Sequence, residues 1–286
     1  MEALLPRSLE EALALRAAHP DAVPVAGGTD LMVAVNFGRA RPPVLLDLSR
    51  VQELKSWRRE NGSVFVGAGM TFARIGRELG EFRPLVEAAR SVGSPQIRSR
   101  ATIGGNIGTA SPAGDALPVL AAYGATIVVG STRGERRQAW DAFFTGPKRT
   151  TLAPDELVLG VEWQAAAGPG SFAKVGTRNA MVIAIAGVCL QLDLGARTVR
   201  LALGSVAPTV VRAPDSEAFA ADVIPWDEPE RELPEEAVSE FGRLAAAAAQ
   251  PIDDVRGSAA YRRHVVEVLA RRELLWTLGD RRAEAC

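Results

Sequence analysis

Residues Ala101–Asp115 read Ala-Thr-Ile-Gly-Gly-Asn-Ile-Gly-Thr-Ala-Ser-Pro-Ala-Gly-Asp: four glycines, several small hydroxyl or amide groups, and no Lys or Arg. Glycine lets a backbone approach a ligand with no Cβ in the way, and successive inward N–H groups make a cradle for an anion. The segment therefore suits phosphates and sugar hydroxyls, held by main-chain and neutral side-chain donors. Asp115 at its end could accept from a ribose hydroxyl or an adenine amine. The alternative is a tight surface loop, but fifteen residues that include Ile103, Ile107 and Ala110 are long and apolar for that, and loops of such length are usually functional.

A shorter segment has the same character. Val25-Ala26-Gly27-Gly28-Thr29-Asp30-Leu31 follows a short apolar run and precedes another, about 75 residues before the first. Its glycines permit positive φ, and Thr29 adds a hydroxyl donor. Alone, it would also suit a purely structural strand turn. Known phosphate fingerprints do not account for either segment. Gly67-x-Gly69 meets Phe72 where a GxGxxG would need glycine, and no GxxxxGK[ST] is present, which argues against a Rossmann fold and a P-loop. A dinucleotide could still be held by two separated glycine loops.

The rest of the chain reads as short mixed elements, α+β rather than regular βαβ winding. Helices are expected at Ser8–Ala18, from Thr71 to Leu79, at Pro84–Val92 before Gly93, and at Asp115–Tyr123. Strands are expected at Val23–Ala26, Val44–Leu48, Ser63–Gly67, Ala125–Val129 and Leu157–Trp163. The small-residue run Ala165–Gly170 reads as a linker. Beyond it, Ser171–Gly176, Ile183–Asp193 and Thr198–Gly204 suit an antiparallel sheet. Helices should follow from Pro234 through Ala249 and over Ser258–Leu278. The last should bury Tyr261, Val265, Val268, Leu269 and Leu275 and stop at Gly279.

Charge and cysteine content exclude several classes. Lys and Arg number 33 against 34 Asp and Glu, a net charge of −1, so no broad electrostatic footprint for nucleic acid or membrane surface exists. The apolar runs Val119–Val129 and Met181–Leu190 fall short of the ~20 residues that span a bilayer. Met1–Pro20 carries Glu2, Glu10 and Glu11 and reads as an amphipathic helix, not a signal peptide. Cys189, within an apolar run, and the terminal Cys286 are the two cysteines, with no CxxC. A small core residue and a free thiol fit a reducing cytoplasm, and no zinc ribbon, iron–sulfur site or disulfide framework can be assembled. His19 and His264 lie in separate expected helices, and no metal or triad reading starts from them.

Together, Ala26-Gly-Gly-Thr-Asp-Leu31 and Thr102-Ile-Gly-Gly-Asn106 with Ala110-Ser-Pro-Ala-Gly-Asp115 resemble the FAD-binding medium subunit of molybdenum hydroxylases, the xanthine dehydrogenase and aerobic carbon monoxide dehydrogenase group. The resemblance continues through Phe143–Leu157, with its aromatic pair, glycine, Lys-Arg-Thr-Thr and Asp-Glu-Leu. It extends over Phe172-x-Lys174-x-x-x-Arg178, Leu203–Thr209 and Pro251–Arg262, and so covers almost the whole chain.

The resemblance implies an α+β protein. A two-subdomain FAD-binding fold of the vanillyl-alcohol-oxidase (PCMH) type would occupy residues 1–167, divided at about 52 and 53, with a sheet-and-helix domain over 168–286. FAD would sit in the cleft between the two α/β subdomains. It implies that Ala26, Gly27, Gly28, Thr29, Asp30 and Leu31, with Thr102, Ile103, Gly104, Gly105 and Asn106, wrap the pyrophosphate, Asp30 pointing away from the phosphates. Asp115 would meet the ribose or adenine end, and Leu159 and Lys174 would lie near the flavin ring. A cation there would stabilise reduced, anionic flavin at N1–C2=O.

The function implied is that of a cytoplasmic electron-transfer subunit of a multi-subunit oxidoreductase. A large molybdopterin-binding subunit would oxidise the substrate, and a small subunit would carry [2Fe–2S] clusters. This chain would hold FAD and pass electrons to an external acceptor, NAD, quinone or oxygen. With no His or Cys in either glycine segment, the flavin would be non-covalent. Two other readings stay open: a stand-alone flavin oxidoreductase, and a non-redox scaffold that binds flavin or nucleotide.

Overall fold

Short β-branched runs separated by Gly, Pro and Asp turns are too brief to form one large sheet, and they build several small ones. The computed structural model describes residues 2–285, so the expected terminal thiol of Cys286 lies outside the described residues. The fold is mixed α and β, as expected from the sequence, and the chain forms two compact units.

The first unit takes residues up to 75, 94–111 and 124–164. It holds a three-stranded parallel sheet in the order Glu2–Leu4, Val44–Asp47, Val23–Val25. The helix Leu9–Ala18 lies between the first and last of these in sequence, and Ser8 Oγ caps it by accepting the Glu11 amide at 3.1 Å. A five-stranded antiparallel sheet follows, ordered Trp57–Glu60, Ser63–Gly67, Leu157–Gln164, Thr126–Ser131, Gly134–Ala139. Val64, Val66, Ile127, Val129 and Val161 are fully buried in it. The predicted Ser63–Gly67 strand is found as read, and Ala125–Val129 is shifted by a residue or two.

The second unit takes residues 76–93, 112–123 and everything from 165 onward. Two segments that precede the Ala165–Gly170 linker therefore pack with the chain that follows it. The helices Arg83–Ser91 and Ala116–Ala122 lie against a four-stranded antiparallel sheet, ordered Gly170–Gly176, Ala184–Asp193, Thr198–Gly204, Val211–Arg212. The reason is visible in the helices. Leu85, Ala88 and Ala89 in one, and Leu117 to Ala122 in the other, are almost wholly apolar and need a second surface to cover them. Helices Pro214–Val223, Glu235–Ala248 and Ala259–Ala285 complete a core around Val188, Leu190, Leu201, Leu203, Phe241 and Leu274.

Several expectations fail: the strand Glu2–Leu4 stands within the stretch read as an N-terminal helix, and three others follow. The glycine-rich segment is not a fifteen-residue loop, since Ile103–Thr109 is helical, capped by Thr102 Oγ1 and ended by Ala110 at φ 48°. The last helix does not stop at Gly279. It runs to Ala285, because its buried stripe continues past the glycine to Arg281, whose guanidinium donates to Pro225 O at 3.0 Å. One helical glycine costs about 1 kcal/mol, less than that anchored turn returns. Of the expected buried face, Val265 and Leu269 are buried, while Tyr261 and Leu275 are 45% exposed.

Candidate functional site

The two glycine segments, about 75 residues apart in sequence, meet inside the first unit. A Cβ on Gly27 would lie 2.1 Å from Arg100 O and 3.0 Å from Ala101 Cα, so the first turn rests on the backbone that leads into the second. Only glycine permits that approach. Gly28 follows at φ +72°. Met32 then donates to Gly28 O at 2.9 Å, and the chain enters the helix Leu31–Asn36. Ala26 ends the run from strand Val23–Val25. Among the described residues, the amides of Gly28, Thr29 and Asp30 have no internal acceptor. These amides lie at a helix start, where the peptide dipole favours an anion. Asp30 makes no side-chain cap, and Lys148 Nζ stands 3.6 Å from its carboxylate, offsetting its charge.

The second segment works differently from its sequence reading. Its leading amides are used internally: Ile103 N donates to Met70 O at 3.0 Å, Gly104 N to Ala68 O at 2.9 Å, and Gly105 N to Thr102 Oγ1 at 3.0 Å. They are not free to wrap a pyrophosphate, because the segment folded into a capped helix instead of an open nest. Its glycines serve packing, as a Cβ on Gly104 would sit 2.4 Å from Ala68 Cβ. What the segment does offer is Asn106, whose Oδ1 is buried with no partner among the described residues. An orphaned buried amide oxygen costs about 1–3 kcal/mol and marks a place for a ligand hydroxyl, while the amide nitrogen beside it suits a phosphate oxygen.

Leu159 belongs to the same neighbourhood. It sits at a bulge in strand Leu157–Gln164, between Val158 and Gly160, and such bulges re-aim side chains. Its side chain fills the space over Gly130, where a Cβ would be 2.5 Å from Leu159 Cδ1. Its carbonyl accepts Ala68 N at 2.9 Å, and Ala68 O in turn accepts Gly104 N. Ala68, Met70 and Arg100 were missed by sequence reading, since they act through backbone atoms alone. Gly67-x-Gly69, rejected as a phosphate fingerprint, was the available signal. Those glycines let the strand end pack on Leu54 O and deliver Ala68.

Asp115 and Lys174 lie in the second unit, where they form an ion pair of 2.6 Å with each side chain 9% exposed. Burial pushes the Asp115 carboxyl above its ordinary value, and Lys174 pulls it partly back.

A glycine turn resting on the entry to a glycine-rich helix, outside a Rossmann fold, with open amides and an unpartnered amide side chain, suits a dinucleotide-binding protein. A family model described as FAD binding domain in molybdopterin dehydrogenase matches residues 1–163, and one described as CO dehydrogenase flavoprotein C-terminal domain matches residues 171–277. The chain is 34% identical to the nicotine 6-hydroxylase medium subunit of Paenarthrobacter nicotinovorans, over 94% of each chain. It is 36% identical to the nicotinate dehydrogenase FAD-subunit of Eubacterium barkeri, over 65% of this chain and 66% of that one. The structure of carbon monoxide dehydrogenase from Hydrogenophaga pseudoflava, in a form lacking the Mo-pyranopterin moiety, superposes with a TM-score of 0.87 at 30% identity, over 98% of each chain. The chain belongs to the FAD-binding family of the molybdopterin dehydrogenases and is a medium, FAD-binding oxidoreductase subunit of that family.

The residues present fit FAD: three open amides at Gly28–Asp30, on a turn that a Cβ at Gly27 would push off the Arg100 backbone, and an orphaned acceptor at Asn106. Asn106→Ala should therefore weaken FAD roughly tenfold, the loss of about 1.4 kcal/mol, without lowering thermal stability, since it removes an unpaired buried group. Flavin-fluorescence titration beside a melting curve checks both halves.

Proposed function

We propose that this chain is the FAD-carrying electron-transfer subunit of a heteromeric molybdenum hydroxylase. Electrons would come from [2Fe–2S] clusters of a small partner subunit, having left the substrate on a large molybdopterin-binding subunit, and would go to an external acceptor (NAD, quinone or oxygen). Bound FAD supplies the redox chemistry of both one- and two-electron transfer. The chain's own residues bind and orient it. The Gly28–Asp30 amides donate to the diphosphate, Gly27 keeps that turn on the Arg100 backbone, and Asn106 takes a hydroxyl or phosphate oxygen. Thr102 and Ile103 fix the helix that presents Asn106, Gly104 lets it approach the Ala68 strand end, the Gly105 amide donates to the Thr102 cap, and Leu31 starts the helix behind the first turn. Leu159 remains the apolar residue assigned to the flavin ring. The resemblance also assigns Asp115 and Lys174 to this cofactor. The soluble cytoplasm stays part of the proposal. Among the described residues no helix is long and apolar enough to cross a membrane.

The observation that carries the reading is the meeting of the two glycine segments at Gly27 and Arg100, supported by the medium-subunit relatives. Purified chain, reconstituted with FAD, should retain a band near ~450 nm, the absorbance of oxidised flavin. It should not turn over substrates of the hydroxylase class by itself, and co-expression with molybdopterin and [2Fe–2S] subunits should give a stable complex that reduces the flavin. Turnover by the isolated chain would instead establish a stand-alone flavoenzyme.

A further inference from the structure

The helix Leu31–Asn36 reads Leu-Met-Val-Ala-Val-Asn, five apolar residues in six, and none of the six is buried. A helix that is apolar all round is normally covered. Here Val33 is 51% exposed, and Phe37, one turn further on, is 72% exposed. The Phe37 amide donates to Val33 O at 3.1 Å, so the two side chains share a face. Met32, also exposed, has its Cγ 3.4 Å from where a Cβ on Gly28 would stand. Contiguous exposed apolar surface of this kind marks an interaction site.

The surroundings carry one sign of charge. Arg39, whose guanidinium lies 5.5 Å from the centroid of the Phe37 ring, and Arg41 follow the helix. Arg100 leads into the second glycine segment with its carbonyl under Gly27, and Lys148 stands against Asp30. Asp30 is the single acidic residue in 26–42, 94–111 and 144–151, which together hold six Lys and Arg. Among the described residues, Arg39, Arg41 and Arg100 have no carboxylate partner. In a chain of net charge −1 this concentration is local, and all of it belongs to the first unit.

We infer that this face docks the [2Fe–2S]-bearing partner subunit, which meets it with an apolar pocket for Phe37 ringed by carboxylates. The inference rests on the function proposed above and adds where that partner sits and what its surface carries. Electrons have to enter at the dinucleotide, and the face begins at the turn assigned to the diphosphate, with Met32 beside Gly28. Phe, Met and Arg are enriched at protein interfaces and Lys is depleted there, and five of the six cations are Arg. That composition favours a protein over an anionic lipid surface, which attracts Lys and Arg alike. A second copy of this chain would set like charges face to face, at a cost in affinity.

The test uses the full-length, FAD-loaded chain and the purified [2Fe–2S] subunit. Phe37→Ser and the double variant Arg39→Glu/Arg41→Glu should each weaken the complex by roughly tenfold or more in titration calorimetry. FAD affinity and the melting curve should stay at wild-type values, since all three side chains are exposed. Wild-type affinity should fall as salt rises from about 50 to 500 mM, and the charge-reversed variant should lose most of that dependence. Arg263→Glu, exposed on the long helix of the second unit, is the control and should bind as wild type does. Unchanged affinity in the Phe37 and arginine variants, an equal loss in Arg263→Glu, or a wild-type affinity independent of salt would each overturn the inference and leave the FAD-subunit reading standing. So would a wild-type chain that dimerises by itself, or binds phosphatidylserine vesicles, through Phe37. A wild-type chain that forms no complex with the [2Fe–2S] subunit would overturn both.

Discussion

Gly27→Ala abolishes tight FAD binding: affinity falls at least a hundredfold, and the purified protein comes away colourless. The added methyl would stand 2.1 Å from the Arg100 carbonyl oxygen and 2.6 Å from its carbon. Both are backbone atoms, so no side chain can swing aside, and either the first turn lifts off or the entry to the second segment moves. Overpacking commonly costs about 1–3 kcal/mol, and displacement of the open amides adds the loss of the anion cradle. A hundredfold change is about 2.7 kcal/mol, within that combined range. Gly108→Ala is the control. A Cβ there meets nothing within 4 Å, and the residue is helical without a positive φ. Alanine favours the helix by about 1 kcal/mol over glycine, so this variant should bind FAD as wild type does and melt higher. Equal FAD affinity in Gly27→Ala and wild type would remove the role assigned to the meeting of the segments.

The second large effect is on stability. Glu273, on the long C-terminal helix, is fully buried, and neither carboxylate oxygen has a hydrogen-bond partner among the described residues. Burial pushes its carboxyl up to about 7 from 4.5, and nearby Glu87 adds to the rise. The Ser171 hydroxyl and Arg83 offset part of it. Below pH 4.5 both folded and unfolded chains hold the proton, so the group then costs least. Between pH 4.5 and about 7 the unfolded chain ionises first, and stability falls as pH rises, by at most about 1.4 kcal/mol per unit. Above about 7 both states are ionised and the loss stays constant, at about 3 kcal/mol on the same conversion. Glu273→Met, of similar volume and without the charge, should be markedly more stable than wild type at pH 8, with the difference shrinking towards pH 5. Urea denaturation at the two pH values measures it, and a difference independent of pH would refute the assignment. The neighbouring Cys189 thiol is also pushed up by burial and takes no part in this range.

Much of the fold could be read along the chain because its signals are local. Ser8 before an apolar helix, the alternation of Ser63–Gly67, and the three strands after Ala165 each depend on residues within one element. The glycine-rich segment misled for a physical reason. Glycine's low helix propensity says loop, but a Thr102 cap and contact with Ala68 outweigh it, so the segment became a helix and its leading amides were used inside the protein. Gly279 misled in the same way, since the packing of Arg281 lies outside any local window.

What the residues determine by themselves is which chemistry is possible: two glycine-bearing turns, neutral donors, and two cysteines with no metal-ligand spacing. Tertiary structure decided how that chemistry is shared out. It set Gly27 on the backbone of Arg100, left the Gly28–Asp30 amides open while closing those of Ile103–Gly105, and turned Lys174 from a free cation into one held by Asp115, Ser91 O and Val182 O. A hydrogen bond is a property of two groups and the distance between them. A sequence names the groups, but the distances exist only once the chain has folded.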